Sequence, residues 1–261
     1  MTDRSTSALR VVVLGGGPAA LEGALRLQRL AAERVRITLV APEPTFRYRP
    51  LAVAEPFGTE PAPRYRLADL AAERGFGFVP DAVVAVDLAA RVAQTKHGAS
   101  LPYDALLVAV GAADATAVPG ALSFAGPTAG ASLRAELDAL GPGRRRVAFV
   151  ATPATAWTLP LYELACRTAT WAAGSGRDVE TWLVTHERRA LGVFGDPVAV
   201  KAVELLEASG VRLWTGAIAD CVEDGRLWLD MEGGLPVDLA VALPRPVARA
   251  IAGLPGDAEG F

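Results

Sequence analysis

Residues 10–31 read RVVVLGGGPAALEGALRLQRLA, and this stretch constrains the fold more than any other. A continuous apolar run of strand length predicts a buried parallel strand over 10–14. Three glycines and a proline follow, then apolar residues at helical spacing (Leu21, Leu25, Leu27 and Leu30), which predict a helix over 19–32. VRITLV at 35–40 predicts the next strand, completing a βαβ unit within the first 40 residues. Such alternation fits an α/β fold with a mainly parallel sheet.

The turn itself carries chemistry. Gly15-Gly16-Gly17-Pro18-Ala19-Ala20 fits GxGxxA between a strand and a helix. Gly15 permits the tight turn, and Gly17 removes a side chain where a pyrophosphate would approach the backbone. Ala20, in the third glycine position, still lets the helix lie close to the strand. Pro18 suits the first helical position, and the free N–H groups around Ala19 and Ala20 favour negative charge. A plain tight turn without a ligand fits the same letters. A ribose-binding acid is expected after the second strand. Ala41 stands there, and Glu43 follows two residues later, either accepting from a diol or solvated between Pro42 and Pro44. Arg49, in FRYRPL, offers a fork of donors to a pyrophosphate or is simply exposed.

The pattern then repeats. Short β-like runs at 82–87, 91–95 and 103–109 predict a small antiparallel insertion, with TKHGASLP as the turn between the last two, before the chain returns to the sheet at YDALLVAVG. A second unit follows: a strand at 146–150, a helix at 160–173, a strand at 179–184, a helix at 198–208, and short strands at 211–215, 226–230 and 238–243. RVVVLGGGPAA at 10–20 overlays RVAFVATPATA at 146–156 with an offset of 136, and ITLVAPE overlays TWLVTHE with an offset of 144. The expected division is a first domain over 1–115, a second Rossmann-like domain over 116–245 and a return segment over 246–261.

Composition excludes other classes. A chain of 261 residues that is 51% hydrophobic builds one or two cored domains rather than a disordered chain. A net charge of −3 argues against a nucleic-acid scaffold. Cys166 and Cys221 form no CxxC motif and are too few for a disulfide framework or a cysteine metal site, and each reads as a small buried hydrophobe. No metal site is expected. No apolar run reaches spanning length, so a cytoplasmic chain is expected, with peripheral membrane contact left open. His97 and His186 read as surface residues. Trp157, Trp171, Trp182, Trp214 and Trp228 all fall in the second unit and are expected in its core, with Trp157 alternatively plugging the loop position.

Four segments in order carry a resemblance: VVVLGGGPAALEGAL, FRYRPLAVAEPFG, YDALLVAVGA at 103–112, and the second βαβ unit. Together they resemble the FAD-dependent pyridine-nucleotide-disulfide oxidoreductase superfamily. The chain looks nearer to type II NADH dehydrogenases and sulfide:quinone reductases than to disulfide reductases. The resemblance implies two Rossmann-like FAD/NAD(P)-binding domains plus the antiparallel insertion, with FAD in the first. Gly15, Gly17, Pro18, Ala19 and Ala20 would face the pyrophosphate and Glu43 the adenosine ribose. Arg49 and Pro50 would lie along the cofactor, the Val83 backbone would meet adenine, and Gly111 would close the strand beneath the dinucleotide. The implied activity passes electrons from NAD(P)H or a sulfide-type donor through flavin to an acceptor such as a quinone. The partners are small molecules, with a homodimer as a further option, and no catalytic side chain is singled out.

The second unit departs from that pattern. In one register Ala151, Pro153 and Ala156 fill its glycine positions; in another, Ala156, Thr158 and Leu161 do. A Cβ at the close-approach position and a proline without an N–H both work against NAD(P)H binding there. Arg188 and Arg189 follow the equivalent strand and either meet a 2′-phosphate or form a solvated turn. This departure favours an alternative: a degenerate, non-catalytic nucleotide- or partner-binding protein of the same fold. Relatives continue past the return segment to a strand ending in GD. Asp257 follows no such strand, so the length reads as a truncation.

Overall fold

The computed structural model describes residues 7–58, 61–155, 157–230 and 233–257. The chain forms two compact units, residues 1–47, 63–113 and 247–261 in unit 1, and 48–62 and 114–246 in unit 2.

Unit 1 opens with β1 (Leu9–Leu14), α1 (Pro18–Ala31) and β2 (Val35–Val40). A short antiparallel pair, β3 (Thr45–Arg47) with β4 (Arg64–Arg66), precedes α2 (Leu67–Arg74) and β5 (Gly77–Val79). An antiparallel ribbon follows, of β6 (Val83–Asp87), β7 (Val92–Thr95) and β8 (Ser100–Pro102), and β9 (Ala105–Val108) returns to the main sheet. That sheet has the order β5-β2-β1-β9, with every pair parallel. Val11 to Leu14 are all buried, as a central strand covered on both faces requires.

Unit 2 is reached through β10 (Ala113–Ala115) and contains β11 (Leu122–Ser123), α3 (Ala129–Ala139), β12 (Arg145–Ala151), α4 (Leu159–Gly174), β13 (Val179–Thr185), α5 (Asp196–Ala208) and β14 (Arg212–Thr215). A second antiparallel ribbon, β15 (Ala219–Glu223), β16 (Arg226–Leu229) and β17 (Gly233–Pro236), precedes the return strand β18 (Leu239–Ala242), and β19 (Arg245–Val247) ends the unit. Its parallel sheet has the order β11-β18-β12-β13-β14.

The α/β class, the parallel sheets and the antiparallel insertion stand as the sequence predicts. The repeat is also there, in register. Val11 pairs with Ile37 and with Ala105, whereas Val147 pairs with Thr181 and with Leu239. The offsets are 136 (147 − 11), 144 (181 − 37) and 134 (239 − 105). One clamp holds both return strands. The Arg10 amide donates to Asp104 Oδ2 at 2.8 Å while the Asp104 amide donates to the Arg10 carbonyl. The Arg146 amide and Asp238 repeat both bonds, at 2.8 Å each.

Several expectations need correction. Helix α1 buries its leucines only in part: Leu21 and Leu27 pack against the core, Leu25 and Leu30 are exposed, and Ala20 and Ala24 are the residues sealed against the sheet. The helix lies so close to β9 that a Cβ on Gly23 would stand 2.7 Å from Leu107 Cδ2, so only small residues fit that face. The third strand of the first ribbon is 100–102, inside the expected turn, and 105–108 pairs in parallel with β1, the return to the sheet expected at YDALLVAVG. The first domain is not continuous over 1–115. Segment 48–62 belongs to unit 2, where Val53 joins Leu133 and Leu137 in one apolar cluster and Glu55 abuts Gly130. Among the tryptophans, Trp171 packs on that cluster and Trp182 and Trp214 on a second one, but Trp157 and Trp228 are exposed. Cys166 packs partly against the first cluster, and burial pushes the partly buried Cys221 thiol up. Among the described residues no helix is long and apolar enough to cross a membrane.

Candidate functional site: two strand-to-helix crevices

In an open α/β sheet, ligands lie beyond the carboxyl ends of the strands where the strand order reverses. In unit 1 that point falls between β1 and β9, and the glycine loop occupies it. Gly15 donates its N–H to the Val40 carbonyl at 2.8 Å and has φ +125°; a Cβ there would lie 2.2 Å from the Ala109 carbonyl oxygen. Only glycine fits. Gly16, an unassigned position of the motif, is also closed: a Cβ would stand 2.5 Å from Leu67 Cδ1 and 3.0 Å from Ala41 Cβ. Gly17 differs. Its backbone is extended (φ −87°, ψ −176°), and a Cβ would meet nothing within 4 Å. No neighbouring atom of the chain requires glycine there, so the space in front of it is open to a ligand.

Pro18 begins α1 and no side chain caps the helix, so the amides of Ala19 and Ala20 have no side-chain acceptor. Pro18 and Ala19 are exposed and Ala20 is buried. Gly111 follows β9 in the left-handed region, φ +68°, where a side chain is strained. Val83 and Val110 pack on the cluster that contains Leu14 and Val40, which gathers Val83 and the end of β9 around the same strand ends. Glu43 is exposed in the bend after β2. Arg49 and Pro50 are exposed at the start of a 3-10 segment that belongs to unit 2.

His97 is exposed as expected, yet its Nδ1 lies 2.8 Å from Oδ1 of Asp81, a buried carboxylate that also accepts the His97 and Ala82 amides. The Thr95 hydroxyl and these donors hold Asp81 well below the usual carboxylate range, against the opposing effect of burial. This network fastens the hairpin turn of the first ribbon. No local pattern signals it, because its partners stand 16 residues apart.

The equivalent turn in unit 2 is built otherwise. β12 ends at Ala151 and α4 begins at Leu159, whereas Leu14 and Pro18 bracket three residues. The strands share the offset 136, but the helices start at an offset of 141 (159 − 18). Both sequence registers therefore hold, one for the strand and one for the helix, and five residues enter the turn. Ala156 lies outside the described residues. The turn closes on itself. The Thr155 amide donates to the Thr152 carbonyl at 2.9 Å, the Thr152 amide to Thr155 Oγ1 at 3.3 Å, and the two hydroxyls meet at 3.2 Å.

After β13, Glu187 stands where the sequence drew attention only to Arg188 and Arg189. Its Oε2 accepts from Tyr162 at 2.7 Å and Thr185 at 2.9 Å, and Oε1 from Thr158 at 3.4 Å. Burial, then Glu187 itself, pushes the Tyr162 phenol up, so it remains a proton donor. Arg189 pairs with Asp196. A cavity of about 390 Å³ opens here, lined by Trp157, Phe194, His186, Glu187 and Arg188 among others. His186 is thus not a plain surface residue: it lines the cavity, and its Nδ1 lies 3.2 Å from the Ala151 carbonyl.

Residues 9–242 match the family model described as pyridine nucleotide-disulphide oxidoreductase. The chain belongs to this family. Among solved structures of the same fold is the sulfide:quinone oxidoreductase of Aquifex aeolicus, at 22% identity and TM-score 0.83, over 93% of this chain and 60% of that one. NDH2 from Plasmodium falciparum in complex with NADH follows at 15% and 0.74, over 93% and 56%. A ferredoxin reductase from Rhodopseudomonas palustris gives 22% and 0.68, over 89% and 58%. The chain spans 60% or less of each of these structures. No curated protein matches it in sequence.

Proposed function

We propose that the crevice beyond β1 and β9 holds FAD and that the chain serves an FAD-dependent oxidoreductase. The observation that carries this is the contrast within the loop. Gly15 and Gly16 are glycine because the protein fills the space beside them; Gly17 is glycine beside open space. The uncapped start of α1 supplies amides of the Ala19 and Ala20 turn to the pyrophosphate, with the helix dipole behind them. Glu43 accepts from the adenosine ribose. Val83 offers backbone to adenine, and Gly111 lets the chain turn beneath the cofactor. The assignment rests on unit 1 residues alone; Arg49 and Pro50 stand on the segment grouped with unit 2. FAD, once bound, supplies the two-electron chemistry, and the protein supplies position and electrostatics.

Family membership supports a donor such as a pyridine nucleotide or a sulfide-type compound and an acceptor such as a quinone. The second reading, a binding protein without turnover, draws on the self-closed turn of unit 2. A visible spectrum separates the two. The purified chain titrated with FAD is expected to bind it near one equivalent, and bleaching by NADH, NADPH or sulfide marks turnover. Gly17→Val, whose Cβ meets no protein atom within 4 Å, is expected to keep its circular dichroism while FAD affinity falls at least about tenfold, or about 1.4 kcal/mol. A wild-type chain that rejects FAD, or a Gly17→Val chain that binds it unchanged, refutes the assignment.

A further inference from the structure

We infer that the crevice of unit 2 gives no recognition to the pyrophosphate of a dinucleotide and is instead built for a nucleoside-sized ligand, one aromatic ring system bearing hydroxyl or amine donors. The assignment rests on unit 2 alone and is independent of what unit 1 binds.

Pyrophosphate recognition needs backbone N–H groups that are free and close. In this turn the Thr152 and Thr155 amides are already spent, on the Thr155 hydroxyl and the Thr152 carbonyl. Pro153 and Pro160 carry no N–H. Both threonines are buried, so the turn cannot open its donors without losing the Thr–Thr bond. Helix α4, like α1, starts without a side-chain cap, but the five extra residues set that start further along the chain, with Pro160 in its first turn and Trp157 ahead of it. Among the cavity's lining residues the cations for a phosphate are Arg188, exposed on the rim, and Arg189, which is held by Asp196.

What the cavity does offer is a ring surface and a carboxylate. Trp157 is 53% exposed and Phe194 44%, set edge to face with centroids 5.4 Å apart. Such exposed aromatic area stacks readily on a planar ring. Glu187 stands beside it. A carboxylate has about four acceptor sites; Oε2 is used twice, and Oε1 receives only the 3.4 Å contact from Thr158. Oε1 therefore has capacity for a ligand hydroxyl or amine. A volume of about 390 Å³ lies within the range of small-ligand sites.

Calorimetric titration of adenosine and ADP-ribose into the FAD-saturated wild-type chain tests this, because FAD then fills the unit 1 crevice, the positions at Glu43 and Val83 included. A Gly17→Val, Glu43→Ala chain serves the same purpose should the chain not hold FAD. The two dissociation constants are expected to agree within about fivefold, and Trp157→Ala is expected to weaken both by more than about fivefold. ADP-ribose binding more than about fivefold tighter than adenosine overturns the inference, as does adenosine binding that Trp157→Ala leaves unchanged. A chain that binds neither probe at millimolar concentration also overturns it.

Discussion

Adjacent glycines in the first turn answer to different neighbours. Gly15 answers to the Ala109 carbonyl, Gly16 to Leu67, and Gly17 to nothing in the chain. The same distinction between packing and ligand contact applies to charged residues. Asp104 is tied to Arg10 by its side chain and backbone, and the Arg10 guanidinium brings its carboxyl down to about 2, outweighing burial. A folded-state value below the unfolded one stabilises the fold at pH above the unfolded value, and that contribution disappears as pH falls through the folded value. The urea midpoint of Asp104→Asn should therefore lie below wild type at neutral pH, with the gap closing between pH about 4 and about 2. A gap that persists at pH 2 would show that the carboxylate is not responsible. Asp238 holds the same post in unit 2, where burial raises its carboxyl but the Arg146 amide and Arg145 lower it further. Asp238→Ala should cost about 1.5–3 kcal/mol, as loss of hydrogen bonds to a charged group does.

At the scale of elements, α1 is seated by what it lacks. Gly23→Val would drive a side chain into Leu107 and lift the helix from β9. The expected loss is about 1–3 kcal/mol in urea unfolding, accompanied by weaker FAD binding because the helix N-terminus moves with it. Stability lost with FAD affinity retained would separate the helix seat from the crevice. Elements whose pattern is local were legible in the sequence: β1, α1, β2, β12 and β13 combine continuous apolar runs with helical spacing. Helices α2 and α3 were not. The first buries only Leu67 and Ala71, too few for a periodic signal. The second buries Leu133 and Leu137 in a cluster shared with Val53, a contact some 80 residues away that no local pattern encodes. In the site, Gly15 and Gly17 were legible as positions of a local strand–turn–helix motif, although the Ala109 carbonyl that closes on Gly15 was not. Gly16, Gly23 and Glu187 were not, because Leu67, Leu107 and Tyr162 approach them from distant positions.

At the scale of the molecule, each unit carries its own apolar clusters, two in unit 1 and two in unit 2 among the described residues. Calorimetry should accordingly resolve two thermal transitions. FAD at about 100 times its Kd stabilises the unit that binds it by about 2.7 kcal/mol, enough to raise one transition by about 10 °C and leave the other in place. Both transitions moving together would place flavin contacts in both units. The repeat gives this comparison unusual control. Both units share a sheet core, a three-stranded ribbon, a return strand and an Asp–Arg clamp, and they differ at the turn between first strand and first helix. One chain thus holds a matched pair of scaffolds, in which the difference in phosphate affinity between the two crevices reports what a three-glycine turn contributes against one five residues longer that two threonines close on themselves.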